Sequence, residues 1–261
     1  MGNEITSAFV LAAGLGKRMR HLNENCPKPL MPIAGQTLLD RVLDHIEEAG
    51  LKDAVVNVHY KSEMIEDHLQ KRTKGPTIIL SDERGELLET GGGIKKALDV
   101  IPSDNFFAIN SDALWLDRGL DRGLDRGLDR GLDRGLDDTI ENTLVAMKAA
   151  WDPEKHDVLL AMVPTHEALY FKGAGDFFVD DANRLTRRGK AEKAPFMFGG
   201  IQILKKSLFD GVEEKHFSLN KIYDEALRKG RAFGHPFKGV WMHIGDPEAV
   251  DEAEQYFKDL T

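Results

Sequence analysis

The chain has 261 residues, 41% hydrophobic and 30% charged, with a formal net charge of −9 at pH 7. That length allows one large domain or two small ones of ordinary soluble composition, and the acidic balance argues against a nucleic-acid partner. No apolar run approaches the ~18 residues that span a bilayer, and a lone cysteine, Cys26, excludes an internal disulfide or a multi-cysteine metal site. The N-terminal stretch also lacks the basic n-region of a signal peptide, so a cytoplasmic protein with no membrane partner is expected.

"AFVLAAG" reads as a short apolar strand broken by glycine. In "TLLDRVLDHIEEAGL", Leu39, Val42, Leu43 and Ile46 follow helical spacing, which predicts an amphipathic helix closed by Gly50. "DAVVNVHY" is strand-like, "KSEMIEDHLQKR" helical, "TIILSDE" a strand, "GGGIKKALDVI" a helix and "NFFAINSDALW" a strand. This alternation predicts an α/β fold with a parallel sheet flanked by helices. In such sheets ligands sit beyond the carboxyl ends of the strands. The "LAAGLG" loop and "NSD" both lie at such ends and are expected to face one cleft.

The pattern then stops, and "LDRG" repeats five times over residues 116–135. Glycine at every fourth position costs about 1 kcal/mol each in a helix, and solenoid units need about 20 residues or more. The repeat is expected to be a mobile surface loop inserted in a single domain spanning residues 1–261. Beyond it, "TIENTLVAMKAAW" reads as a helix, "DVLLAMVP" as a strand and "GDFFVDDANRLTRRGK" as a hairpin. "FMFGGIQILK" is a further strand and "LNKIYDEALRKG" a helix. The last helix, "DPEAVDEAEQYFKDL", opens with Asp246 as N-cap and Pro247 at its first position.

The chemistry concentrates in "FVLAAGLGKRMRHLNENCPKPL", residues 9–30. Gly14 and Gly16 let backbone N–H groups approach phosphate oxygens. The dinucleotide fingerprint needs a third small residue where Met19 stands, and no G-K-[ST] closes a P-loop. Lys17 and Arg18 follow at once, and an arginine beside a phosphate cradle suits a triphosphate. Lys28 lies between two prolines, which restrict the backbone from which its side chain springs.

"LAAGLGKRM…PKPLMPIAG" resembles the signature of the sugar-1-phosphate nucleotidyltransferases. "ETGGGI" at 89–94, "NSD" at 110–112, "GDF" at 175–177 and "FGGI" at 198–201 follow in that family's order. Through "LLETGGGI" the chain is most similar to the short bacterial members that uridylylate N-acetylmuramate α-1-phosphate in cell-wall recycling. The resemblance implies a Rossmann-like, GT-A-like fold, a mostly parallel sheet with a small β-rich sugar-binding part.

The resemblance also implies roles. Leu11, Ala12, Ala13 and Gly14 would line base and ribose, while Gly16, Lys17 and Arg18 would hold the triphosphate. Lys28 would bridge the α-phosphate and the incoming sugar phosphate. Glu89, Gly91, Gly92 and Gly93 would meet the base edge through backbone, and Asp112 would hold Mg²⁺. Asn110, Gly175, Asp176, Lys190 and Gly200 would bind the sugar phosphate. The implied partners are a nucleoside triphosphate, UTP favoured, and a sugar 1-phosphate, with the protein a monomer or homodimer.

One departure stands out. Where the family has W-x-D-x-G-[ST], this chain reads "WMHIGD", with His243 at the carboxylate position. Imidazole suits Mn²⁺, Co²⁺ or Zn²⁺ better than Mg²⁺. His243 thus ligates a softer metal, holds a metal-bound water, or is no ligand at all; the first two are favoured. Asp246 as a substitute carboxylate is the weaker reading beside its N-cap role. Two other functions fit the same fold: mannose-1-phosphate guanylyl transfer or phosphocholine cytidylyl transfer. A non-catalytic sugar-nucleotide-binding subunit is the alternative of another class, and the intact Arg18, Lys28 and Asp112 argue against it.

Overall fold

Strand β1 (Ser7–Leu11) sorts its side chains with the period of two that a pleated strand imposes. Ala8 and Val10 enter one apolar core and Phe9 another. The computed structural model describes residues 4–16, 19, 26–117 and 142–260. Two short strands, β2 (Pro32–Ile33) and β3 (Gln36–Thr37), form a hairpin. β4 (Asp53–Val58) and β6 (Asn105–Asn110) repeat the sorting, with Val56 and Ile109 on the first face and Val55 and Ala108 on the second.

Strands buried on both faces need a helical layer on each side. Helices α1 (Leu38–Glu48), α2 (Ser62–Gln70) and α4 (Thr143–Ala150) cover the first face. Helices α3 (Glu89–Ala97) and α5 (Asn220–Arg228) cover the second. In α1 the expected stripe of Leu39, Val42, Leu43 and Ile46 is the buried one, and Thr37 Oγ1 caps the helix by accepting from Asp40 N–H at 3.0 Å.

β6, β1, β4 and β5 (Thr77–Asp82) run parallel in that order. Their carboxyl ends therefore lie along one edge. β11 (Phe196–Lys205) continues the sheet antiparallel to β6. It is joined by β8 (Val158–Pro164) and by the predicted hairpin of β9 (Phe177–Val179) and β10 (Leu185–Arg187). β12 (Ala232–Pro236), which the sequence pattern does not announce, adds to β8 in parallel.

The segment read as one strand, "NFFAINSDALW", is two. Ser111 N–H donates to the Leu11 carbonyl at 3.1 Å, and the chain turns at Ser111–Asp112. β7 (Ala113–Asp117) then leaves the sheet and pairs antiparallel with β13 (Gly239–His243), setting Ala113 opposite His243. Apolar residues on both sides of the turn conceal it in the sequence.

Nor is the whole repeat a loop. Leu116 and Asp117 complete β7, and the remaining residues assigned to a mobile loop, 118–135, lie outside the described residues. The helix read from residue 139 starts at Thr143, capped by Asn142 Oδ1, and residues 139–141 are likewise outside the described set.

α6 (Pro247–Leu260) opens as expected, Asp246 Oδ1 accepting from Ala249 N–H at 3.0 Å. It packs on the β2–β3 hairpin, where Glu254 Oε1 accepts from Ala34 N–H at 2.8 Å and the Arg41 guanidinium lies 4.5 Å from the Phe257 ring centre. A third apolar core, with Met19, Ile33, Leu114, Ile244 and Phe257, ties these pieces to the loop after β1. Among the described residues no helix is long and apolar enough to cross a membrane.

Candidate active site

The carboxyl ends of β1, β4, β5 and β6 border a cavity of about 420 Å³. It is lined by the loop after β1, with Leu11, Ala12, Ala13, Gly14 and Gly16, by Leu87, Glu89 and Thr90 around the start of α3, and by Lys28, Asn110 and Asp112. The "LAAGLG" loop and "NSD" thus share one cleft. Lys17 and Arg18 lie outside the described residues.

Gly14 has no positive φ, and a Cβ built on it would meet no atom of the described residues within 4 Å. Among the described residues nothing requires glycine there. The missing side chain instead keeps an exposed stretch of backbone open to close approach, as phosphate binding demands. Gly16 adopts φ 54°, which turns the loop.

Lys28 begins a single 3-10 turn (Lys28–Leu30) after Pro27, whose φ of −67° is fixed by its ring. Its Nζ donates to Asp112 Oδ2 at 2.6 Å, with side-chain exposures of 12% and 43%. Asp112 sits in the turn between β6 and β7, where the strand's end delivers it to the cleft. Asn110 is beside it, and Gly200 (φ 80°) packs against both Asn110 and Ala113, at 3.2 Å and 3.3 Å from where its Cβ would be.

Other expected residues fall elsewhere. Gly91, Gly92 and Gly93 are buried in the first turns of α3 and do not line the cavity. The N–H groups of Gly91 and Gly92 donate to the Phe217 carbonyl at 2.9 Å and 3.1 Å. A Cβ on Gly91 would collide with the Phe217 ring, and one on Gly92 with the Lys215 carbonyl. Close packing of the 215–217 segment accounts for these glycines, while Glu89 (φ 62°) and Thr90 carry the cavity wall.

Gly175, Asp176 and Lys190 belong to the β9–β10 hairpin and its flanks, away from the cavity lining. There Gly175 accepts from Arg188 Nε at 2.9 Å through its carbonyl, Asp176 Oδ2 accepts from Phe198 N–H at 3.0 Å, and Lys190 is exposed.

Several cavity residues escaped the sequence reading, Asn57 and Glu83 among them. Asn57, at the end of β4, and Glu83, just past β5, are nearly inaccessible yet polar. The available signal was a single amide in the otherwise apolar "AVVNV", since a buried polar group requires partners.

His243 holds the end of β13, its N–H donating to the Leu169 carbonyl at 2.9 Å. Its ring lies 6.0 Å from those of Phe171 and Trp241. Facing Ala113 in the ladder, it stands one residue along from Asp112. Among the described residues no three His, Cys, Asp or Glu side chains converge as a metal cage. A hard cation that keeps several waters needs only one or two carboxylates. The partly exposed Asp112 carboxylate fits such an ion.

A cation on a restrained turn, a cleft-facing carboxylate and an open glycine loop suit a polyanion that carries a metal. Residues 8–130 match the model of the MobA-like NTP transferase domain. Over 95% of this chain and 95% of the relative, the sequence is 38% identical to the N-acetylmuramate alpha-1-phosphate uridylyltransferase of Caulobacter vibrioides. It is 29% identical to the enzyme of the same name from Neisseria meningitidis, over 95% and 96%.

Solved structures agree on the fold. The inositol-1-phosphate CTP transferase from T. maritima has a TM-score of 0.71 at 15% identity, covering 100% of this chain and 98% of that one. UDP-glucose pyrophosphorylase complexed with UDP-glucose has a TM-score of 0.73 at 15% identity, covering 98% and 100%. The chain belongs to the sugar-1-phosphate nucleotidyltransferases.

Proposed function

We propose that the protein condenses UTP with N-acetylmuramate 1-phosphate, giving the nucleotide sugar and pyrophosphate, in the cytoplasm and with Mg²⁺ at Asp112. The observation that carries the site assignment is the meeting of the Gly14 loop, Lys28 and Asp112 in one cleft. The choice of UTP and of this sugar rests on the 38% identical Caulobacter relative.

In the reaction a sugar phosphate oxygen attacks the α-phosphorus in line. A new P–O bond forms, the α–β bridge breaks, and pyrophosphate leaves. The attacking oxygen is already anionic, so no protein nucleophile or base is needed. Catalysis is positioning and charge neutralisation. Lys28, leaving Asp112, reaches the two phosphates being joined. Gly14 and Gly16 let the triphosphate approach the backbone, and Arg18 neutralises the departing pyrophosphate. Bound Mg²⁺ supplies further charge neutralisation on the phosphate oxygens. Asp112 would hold it, and His243, which faces Ala113 one residue along, would stand near it. Asn110 at the cavity and Gly200 packed against it lie toward the sugar phosphate, and the family resemblance extends that side to Gly175, Asp176 and Lys190 beyond the cavity lining.

Incubating the purified protein with UTP, N-acetylmuramate 1-phosphate and Mg²⁺, then identifying the product by mass spectrometry, tests this reading. UDP-N-acetylmuramate is expected; unchanged substrates would refute it.

A further inference from the structure

Two polar side chains that the chemistry does not use are sealed into the cleft floor: Asn57 is 2% exposed and Glu83 1%. Burying an amide or a carboxyl is costly unless its atoms find partners. Here they find each other. Asn57 Oδ1 accepts from Ala12 N–H at 2.7 Å and from Ala13 N–H at 3.2 Å. Asn57 Nδ2 donates to Glu83 Oε1 at 2.7 Å, and Glu83 Oε2 accepts from Leu88 N–H at 3.1 Å.

This series of bonds runs from the loop after β1 to the loop before α3, both of which line the cavity. It crosses β4 and β5, whose parallel register brings the end of one beside the end of the other. Gly93 makes room for it, because a Cβ there would sit 2.6 Å from Glu83 Oε1 and 3.0 Å from Asn57 Nδ2. With two loop donors committed to Asn57, that part of the loop is shaped before any ligand arrives.

We propose that Asn57 and Glu83 are positioning residues that clamp the two walls of the cleft at the spacing a nucleotide needs. The proposal rests on the nucleotide reading above. Preorganisation of this kind acts on affinity, because the ligand no longer has to order the walls. The clamp should therefore govern UTP binding more than the rate of the bound complex.

Amide–carboxylate reversal tests it. Asn57→Asp removes the middle donor and sets two carboxylates together. Glu83→Gln puts an amide against one of the two N–H donors already there. Each single variant should bind UTP about tenfold or more weakly, seen in calorimetric Kd and in KM, with a smaller change in kcat. In the double variant the introduced amide donates to the introduced carboxylate, and the acceptors for Ala12, Ala13 and Leu88 are kept. Affinity should return to within about threefold of wild type.

Hydrogen exchange at the Ala12 and Ala13 amides, without ligand, should quicken in each single variant and slow again in the double. Single variants with wild-type affinity and exchange, or a double variant in which the two losses merely multiply, overturn the clamp. Should Asn57→Asp fail to fold, Glu83→Gln, near-isosteric and uncharged, decides by the same two readouts. A wild-type protein that binds no nucleoside triphosphate would count against the nucleotide reading, while amide exchange would still decide the clamp.

Discussion

Lys28 Nζ lies 2.6 Å from Asp112 Oδ2, so the cation assigned to the phosphates rests on the carboxylate assigned to the metal. The pair keeps each charge compensated while the cleft holds no substrate. It also means that a metal arriving alone must compete with an ammonium. Lys28→Met should therefore bind Mn²⁺ alone more tightly than wild type, by titration of the free ion's EPR signal. The same variant should lose at least tenfold in turnover, since a charge-assisted contact of ~1.5–3 kcal/mol corresponds to about 10–150-fold in rate. Asp112→Asn should lose both metal binding and activity.

Gly14 and Gly93 are predicted to separate function from folding. Gly14→Ala meets no atom of the described residues and sits on an ordinary backbone, so its thermal melt should match wild type while UTP affinity falls. Gly93→Ala instead pushes a methyl against Glu83 and Asn57 and should lower the melting temperature by several degrees. Equal melting behaviour of the two variants would mean that the two surroundings do not differ as described.

Acid should loosen the far side of the molecule through His156. Burial holds its imidazole below the ordinary histidine pKa, with smaller opposing help from Asp152 and further lowering from Lys155, Arg231 and Lys205. Nδ1 accepts from Asp152 N–H at 3.1 Å, which requires that nitrogen to be unprotonated. A depressed folded-state pKa means that the unfolded chain binds the proton more readily. The contribution is complete above the unfolded value of about 6.5 and is lost as pH falls through the folded value. Wild type should thus lose more stability between pH 7.5 and 5 than His156→Gln, measured by urea unfolding at both pH values. Parallel losses would remove His156 from the account.

How much of this could be read beforehand depends on whether a signal is local. β1 with its glycine loop, and the placement of "NSD" at a strand's carboxyl end, follow from strand periodicity and the rule that ligands bind there, so one shared cleft was legible although the turn at Ser111–Asp112 was not. The hairpin of β9 and β10 and the Asp246 cap are local as well. Asn57 and Glu83 were not legible, because their meaning arises only when β4 and β5 lie side by side. The packing of Gly91 and Gly92 was hidden for the same reason. Glycine permits close approach of a ligand or of another segment, and only the fold brings Phe217 to Gly91 and Lys215 to Gly92.

His243 offers a test of the metal. His243→Asp supplies the second hard oxygen of the family pattern, so Mg²⁺ should bind more tightly and any preference for Mn²⁺ or Co²⁺ should shrink. Calorimetric titration of each ion into both proteins, with UTP present, reads this directly. An unchanged order of metals would place His243 outside the coordination sphere.

Nucleotidyl transfer between one particular pair of substrates underlies every role proposed for the cleft. Pyrophosphate release is to be measured over a grid of UTP, GTP, CTP and dTTP against N-acetylmuramate, mannose and glucose 1-phosphates and phosphocholine. The account predicts the highest kcat/KM for UTP with N-acetylmuramate 1-phosphate, and its loss in Asp112→Asn. A higher kcat/KM for GTP with mannose 1-phosphate or for CTP with phosphocholine would contradict the substrate assignment, and release from no pair would contradict the enzyme itself.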